Sequence, residues 1–188
     1  MRQLRLPLLL LILMMACTLG VTPGCKRKKS SAQGQKAGII PLAHAHAHND
    51  YAHKRPLLDA LSCGFASVEA DIYLVDGKLL VAHDIEDVKE DRTLQSLYLN
   101  PLRKRIQQNK GRVYPNGPSL TLLVDVKSDA LPTYACLREV LKGYADILTT
   151  WEQGTMKEGS VTVIVSGNRH REMMERQDLR YCAYDGRM

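Results

Sequence analysis

Six polar side chains stand where this sequence could do chemistry. Glu69 and Asp71 lie two residues apart in a run of β-formers, and Asp125 and Lys127 repeat that spacing at the end of another. Residues i and i+2 on a strand share a face, so each pair points one way. His48 and the dipeptide His83-Asp84 follow two further apolar runs. Three carboxylates on one face repel unless a cation lies among them, and hard oxygen donors favour Mg²⁺ or Ca²⁺. One divalent cation with the ammonium of Lys127 beside it suits a phosphate. Imidazole changes charge near neutral pH, which makes His48 and His83 candidates for general acid and general base. The metal candidates are therefore Glu69, Asp71 and Asp125, and the catalytic candidates are His48, His83 and Lys127.

Alternating strands and helices must position these groups. Strands are expected at Ile39–Ala43, Ala66–Leu74, Lys78–Ala82, Leu120–Val126, Val161–Val165 and Tyr181–Tyr184, with a turn at Asp76-Gly77. Helices are expected at Pro56–Cys63, ended by Gly64, and at Leu94–Gln108, Thr133–Tyr144 and Arg169–Arg176. That alternation predicts a parallel β/α architecture. Apolar runs such as Leu122–Val126 suit a sheet covered on both faces. If the strands neighbour one another in a barrel, their C-terminal ends converge on one mouth, where barrel active sites lie.

The stretch HNDYAHKRPLLDALSCGFASVEADIYLVDGKLLVAHD, residues 48–84, resembles the glycerophosphodiester phosphodiesterase and phosphatidylinositol-specific phospholipase C superfamily. It looks closest to the branch named for altered inheritance of mitochondria protein 6. TVIVSGNR at 162–169 and YDGR at 184–187 are similar to that branch as well. The resemblance covers about residues 42–188. It implies a TIM-type barrel that cleaves phosphodiesters with a divalent metal and two histidines. His48 and His83 match the histidines, Glu69 and Asp71 the Glu-x-Asp metal pair, and Asp125 the third ligand. Lys127 is placed as in sphingomyelinase D-like relatives. Asn49 stands where glycerophosphodiesterases usually have Arg, and Asp125 where they usually have Glu. The implied reaction is phosphoryl transfer to a hydroxyl of the substrate itself. One histidine takes that hydroxyl's proton and the other protonates the leaving oxygen.

Two other readings start from the same residues. His44, His46 and His48 form overlapping His-x-His pairs, as amidohydrolase-like metal hydrolases use. That reading needs later strand-end histidines, and His170 falls in a helical context. His44 and His46 are otherwise expected to be structural or solvent-exposed, His53 to lie on the surface, and Asn49, Asp50 and Tyr51 to shape the site mouth or a plain turn. A TIM barrel usually takes about 250 residues, more than this chain offers after its leader. A C-terminally incomplete barrel is therefore expected, with little turnover by the chain alone. A catalytically incomplete, membrane-tethered binding protein is the corresponding non-enzyme reading.

The 188 residues carry a net charge of +6. Residues 1–36 hold seven Lys/Arg and no acid, so the other 152 residues hold 19 basic and 20 acidic side chains. The basic excess belongs to the leader and the tether that follows it, which argues against a nucleic-acid partner. Arg2 and Arg5 precede the apolar run Leu6–Ala16, the pattern of an export signal. Cys17 and Cys25 offer lipoprotein-type cleavage points. The basic cluster Lys26–Lys29 favours instead an uncleaved anchor with a cytoplasm-facing domain. The expected organisation is a leader at 1–25, a basic polar tether at 26–38 and a partial barrel at 39–188. The expected location is exported and membrane-associated, and the expected partner a phosphodiester small molecule or lipid head group. Cys63, Cys136 and Cys182 match no zinc or disulfide framework and are expected as buried free thiols.

Overall fold

A computed structural model describes residues 38–186; the leader with Cys17 and Cys25, and the tether up to residue 37, lie outside the described residues. The chain runs β1 (Leu42–Ala47), a 3-10 turn at Asp50–Ala52, α1 (Leu58–Ser62), β2 (Phe65–Val75), β3 (Lys78–Val81) and a 3-10 turn at Ile85–Asp87. A π-helical turn at Gln95–Leu99 continues into α2 (Asn100–Gln108), followed by β4 (Leu120–Val126) and α3 (Ala130–Lys142). Then come β5 (Thr150–Glu152), β6 (Thr155–Lys157), β7 (Val161–Gly167), α4 (Arg171–Glu175), β8 (Leu179–Arg180) and β9 (Ala183–Tyr184).

The central sheet has the order β1-β2-β4-β7-β9, all parallel, with β3 antiparallel on β2. This is the mixed α/β architecture with a parallel sheet that the strand–helix alternation predicts. Among the described residues no pairing joins β9 to β1, so closure into a barrel is not seen. β5, β6 and β8 form a small antiparallel sheet that the sequence reading passed over.

Alternation decides which side chains are inside. Along β4, Leu120, Leu122, Val124 and Val126 are buried while Thr121, Leu123 and Asp125 are half-buried. Val68, Ala70 and Ile72 of β2 and Val161, Val163 and Val165 of β7 join one apolar cluster with Leu102 and Ile106 of α2 and Leu137 and Leu141 of α3. Each fully buried Val, Leu or Ile contributes about 1.5–3 kcal/mol of transfer free energy. The expectation of a sheet covered on both faces is thus corrected: helices cover one face, and the other carries the polar row. Three of the largest buried side chains are tyrosines, and each hydroxyl has a partner, as burial requires. Tyr114 donates to the Phe65 carbonyl at 2.7 Å, Tyr134 to Gln177 at 2.9 Å, and Tyr98 to Asp50 at 3.0 Å.

The remaining differences from expectation are local. The first strand lies at Leu42–Ala47 rather than Ile39–Ala43, so His44 and His46 sit on it instead of after it. The helix expected across Leu94–Gln108 begins as a π-turn just ahead of Pro101, which supplies no N–H to the preceding turn. Of the three thiols only Cys182 is buried; Cys63 is exposed and Cys136 half-buried. Gly64 ends α1 at φ 87°, and a Cβ there would lie 2.5 Å from the Ile40 carbonyl oxygen, so a glycine is needed.

Candidate functional site

One edge of β2 is shared by two strands that run toward each other. β1 pairs with its lower part, Ala47 opposite Val68, and β3 returns along its upper part, Val81 opposite Ile72. The Asp76-Gly77 turn makes that return possible, with both residues at positive φ as a tight hairpin demands. β1 and β3 stop short of each other at residues 69–71. The residues just past their ends, His48 and His83, therefore meet at Glu69 and Asp71. The pairing of β1 is irregular, with four steps from Leu42 to His46 against two from Phe65 to Ser67. That irregularity sets His46 beside Ser67, its Nδ1 2.8 Å from Oγ.

On the other edge of β2, Asp71 is opposite Asp125, and Asp125 is opposite Ser166 of β7. Glu69, Asp71 and Asp125 thus share one face, with ligand oxygens all within 4.8 Å of one another. Lys127 Nζ bridges two of them, 2.7 Å from Asp125 Oδ2 and 3.1 Å from Asp71 Oδ2. Burial works against the ammonium, but its hydrogen bonds to Asp125 and Asp71 outweigh that and hold its pKa above the usual lysine value.

Asp71, 1% exposed, is the most heavily engaged carboxylate. Its Oδ2 accepts from Lys127, from the Tyr51 hydroxyl at 2.8 Å and from His83 Nδ1 at 3.1 Å. A carboxylate only accepts, so the proton of a neutral His83 sits on Nδ1 and its Nε2 lone pair faces away from Asp71. Tyr51 also lies 2.9 Å from Asn49 Oδ1 and 3.2 Å from His83 Nδ1. Burial, the bond to Asp71 and the surrounding carboxylates all push its pKa up, so it remains a phenol. Around Glu69 Oε2 stand His46 Nε2 at 3.5 Å, His48 Nε2 at 3.6 Å and the Asn49 N–H at 3.3 Å.

The turn carrying Asn49 and Tyr51 is held from below by Asp50, which is fully buried. Its Oδ2 accepts from the Leu57 N–H and the Tyr98 hydroxyl, and Tyr98 also reaches the Glu69 carbonyl at 3.2 Å. Leu57 sits at φ 62°, ψ −51°, a conformation a branched side chain adopts only under constraint. Burial raises the pKa of Asp50.

The donor set fits a divalent cation. Three carboxylates face one ammonium, and Asp71 Oδ1 and Asp125 Oδ1 are buried with no hydrogen-bond partner among the described residues. A cation among them would satisfy both the charge and the orphaned oxygens. Gly167 makes room for this arrangement. It lies at φ 67°, and a Cβ there would fall 1.9 Å from Asp125 Oδ1.

The structure therefore brings all six sequence candidates together, with His48 farther from the carboxylates than His83. Sequence reasoning missed two neighbours. His46 stands at Glu69 as close as His48 does. Tyr51, expected to shape the site mouth or a plain turn, is a hub between Asp71 and His83. The His-x-His alternative loses its later ligand, because His170 Nδ1 accepts from the Met173 N–H and caps α4.

Residues 34–185 match the family model described as AIM6-like phosphodiesterase domain. Among curated relatives, Altered inheritance of mitochondria protein 6 of Eremothecium gossypii is 36% identical over 162 residues, covering 77% of this chain and 42% of the relative. The protein of that name in Lachancea thermotolerans is 37% identical over 154 residues, covering 71% and 35%. A homolog in Arthroderma benhamiae is 32% identical over 152 residues, covering 69% and 48%. The chain spans less than half the length of these relatives. No solved structure matches it.

Proposed function

Because this chain belongs to the AIM6-like phosphodiesterase family, we propose that its site cleaves a phosphodiester, its substrates being glycerophosphodiesters or lipid head groups. Under this reading the parallel sheet is part of a (β/α) barrel and the strand ends form its mouth. The observation that carries the proposal is the trio Glu69, Asp71 and Asp125 within 4.8 Å, with two orphaned oxygens and Lys127 alongside. A bound Mg²⁺ or Ca²⁺ would polarise the phosphate and neutralise developing charge. Lys127 adds a positive charge on the same side. His83, its Nδ1–H fixed by Asp71, presents Nε2 to take the proton of a substrate hydroxyl that attacks phosphorus. His48, 73% exposed at the rim, then protonates the leaving oxygen. Such acid–base groups are each worth about 10²–10⁴ in rate. Tyr51 donates to Asp71 and keeps its carboxylate oriented. The apolar leader would set this site at a membrane surface, where lipid-derived diesters are presented.

Thermal unfolding of the full chain with and without millimolar Mg²⁺ or Ca²⁺ tests the site independently of turnover. Metal at 100 times its dissociation constant adds about 2.7 kcal/mol, a rise of several degrees. The rise is expected in the native sequence and absent in Glu69→Ala. Equal melting of both, with and without metal, overturns the metal site. Metal-dependent release of p-nitrophenol from 2-hydroxypropyl p-nitrophenyl phosphate, whose own hydroxyl can attack phosphorus, is expected and should be lost in His83→Ala; equal release by both overturns the role of His83.

A further inference from the structure

Beside the carboxylates lies a cavity of about 350 Å³ that the mechanism above does not use. Tyr51 and His83 form the wall between the two, since both touch Asp71 and both line the cavity. Its floor is the small apolar set Ala52, Val81 and Ala82. Its other charged or titratable groups are His53, Lys89, Arg92 and Asp87. Two permanent cations and two imidazoles therefore face a single carboxylate. This is the reverse of the neighbouring site, where three carboxylates face one ammonium.

The cations are available. Arg92 donates one N–H to the Tyr51 carbonyl at 2.6 Å, and a guanidinium carries five. Among the described residues neither Arg92 nor Lys89 pairs with a carboxylate. Such a pair of cations with no carboxylate partner among the described residues, over a small apolar floor, is a receptor for a compact oxyanion, with Arg supplying the forked donors that phosphate geometry matches. The backbone bond of Arg92 also fixes the cavity to the turn that carries Tyr51.

We propose that this cavity binds a second phosphate group of the substrate, so that the preferred diester carries a phosphomonoester on one arm. The diester phosphorus lies at the carboxylates and the arm passes Tyr51 and His83 into the cavity. The assignment of the remainder of the substrate rests on the phosphodiesterase reading; the oxyanion site itself does not.

The first experiment is titration of the full chain with inorganic phosphate in chelator, followed by backbone amide shifts. Saturable shifts are expected at Ala52, His53, Ala82 and Lys89. Lys89→Glu, an exposed position whose spectrum also reports the fold, is expected to weaken phosphate at least tenfold, whereas Glu69→Ala retains it. Shifts that do not saturate, or an affinity untouched by Lys89→Glu, overturn the proposal. The second experiment compares, with Ca²⁺ present, a diester bearing a terminal phosphomonoester with the same diester ending in a hydroxyl. The charged one is expected to bind about tenfold more tightly, and Lys89→Glu to remove most of that advantage. Equal binding overturns the assignment of the second phosphate to the substrate. If the metal-dependent rise in melting is missing while phosphate still binds at Lys89, the phosphodiesterase reading fails and the oxyanion site stands.

Discussion

On the helix side of β2 and β4 stand Val68, Ala70, Ile72, Leu122, Val124 and Val126, none more than 1% exposed. On the other side of the same two strands stand Ser67, Glu69, Asp71, Thr121, Leu123 and Asp125. The first set gains from every methylene it buries. The second is assembled against its own electrostatics, with three carboxylates facing, among the described residues, the one ammonium of Lys127 and the imidazoles of His46, His48 and His83. The strands can hold both because side chains alternate, so stability and chemistry never compete for one position. The helix side supplies the stability that the charged side consumes.

The largest way to break this contrast is on the helix side. Leu122→Ala is expected to cost about 2–5 kcal/mol, read as a lower urea midpoint, while the folded fraction still responds to metal. Loss of that response together with stability would mean that the two faces are not separable. Gly167→Ala comes next. The positive φ alone costs about 1–3 kcal/mol in a non-glycine residue. The added Cβ would also displace Asp125, so the metal-dependent rise in melting is expected to vanish with it. Glu69→Gln should act with the opposite sign. It removes one of three crowded charges and keeps an acceptor for the Asn49 N–H. The metal-free midpoint is expected to rise by about 2–4 °C, the equivalent of about 1 kcal/mol, as the metal response disappears. A fall would show that Glu69 is held by favourable contacts rather than against repulsion. The smallest effect is a labelling rate. Burial pushes the Cys182 thiol up to about 12, whereas Cys63 is exposed. Iodoacetamide under native conditions, mapped by peptide mass, should mark Cys63 well before Cys182; equal rates would mean that the helix side opens readily.

Much of this layout is legible in the sequence where pattern and period agree. β4 falls on Leu120–Val126 as read, because a β-rich run there is bounded by Pro118 and Ser128. The i, i+2 rule placed Glu69 with Asp71 on one face, and family resemblance supplied the partners across strands. What escaped depends on pairing. The irregular register of β1 is set by contact with β2, so no local signal moves the strand onto His44 and His46. β5 and β6 have three residues each, too few to show a period, and only the Gln153-Gly154 turn between them marks the hairpin. Tyr51 reads as a mouth or turn residue and not as a hub, because its partner Asp71 is 20 positions away.

The hairpin of β2 and β3 has a further consequence, which is one of parity. The place of His83 follows from the pairing of Ile72 with Val81, not from the number of residues above that pair. Adding one residue to each arm would lengthen the tip and leave the imidazole beside Asp71. Adding one residue to a single arm, between that pair and His83, would turn it to the opposite face, away from the carboxylates. Insertions should therefore be tolerated at the tip and not between Val81 and His83.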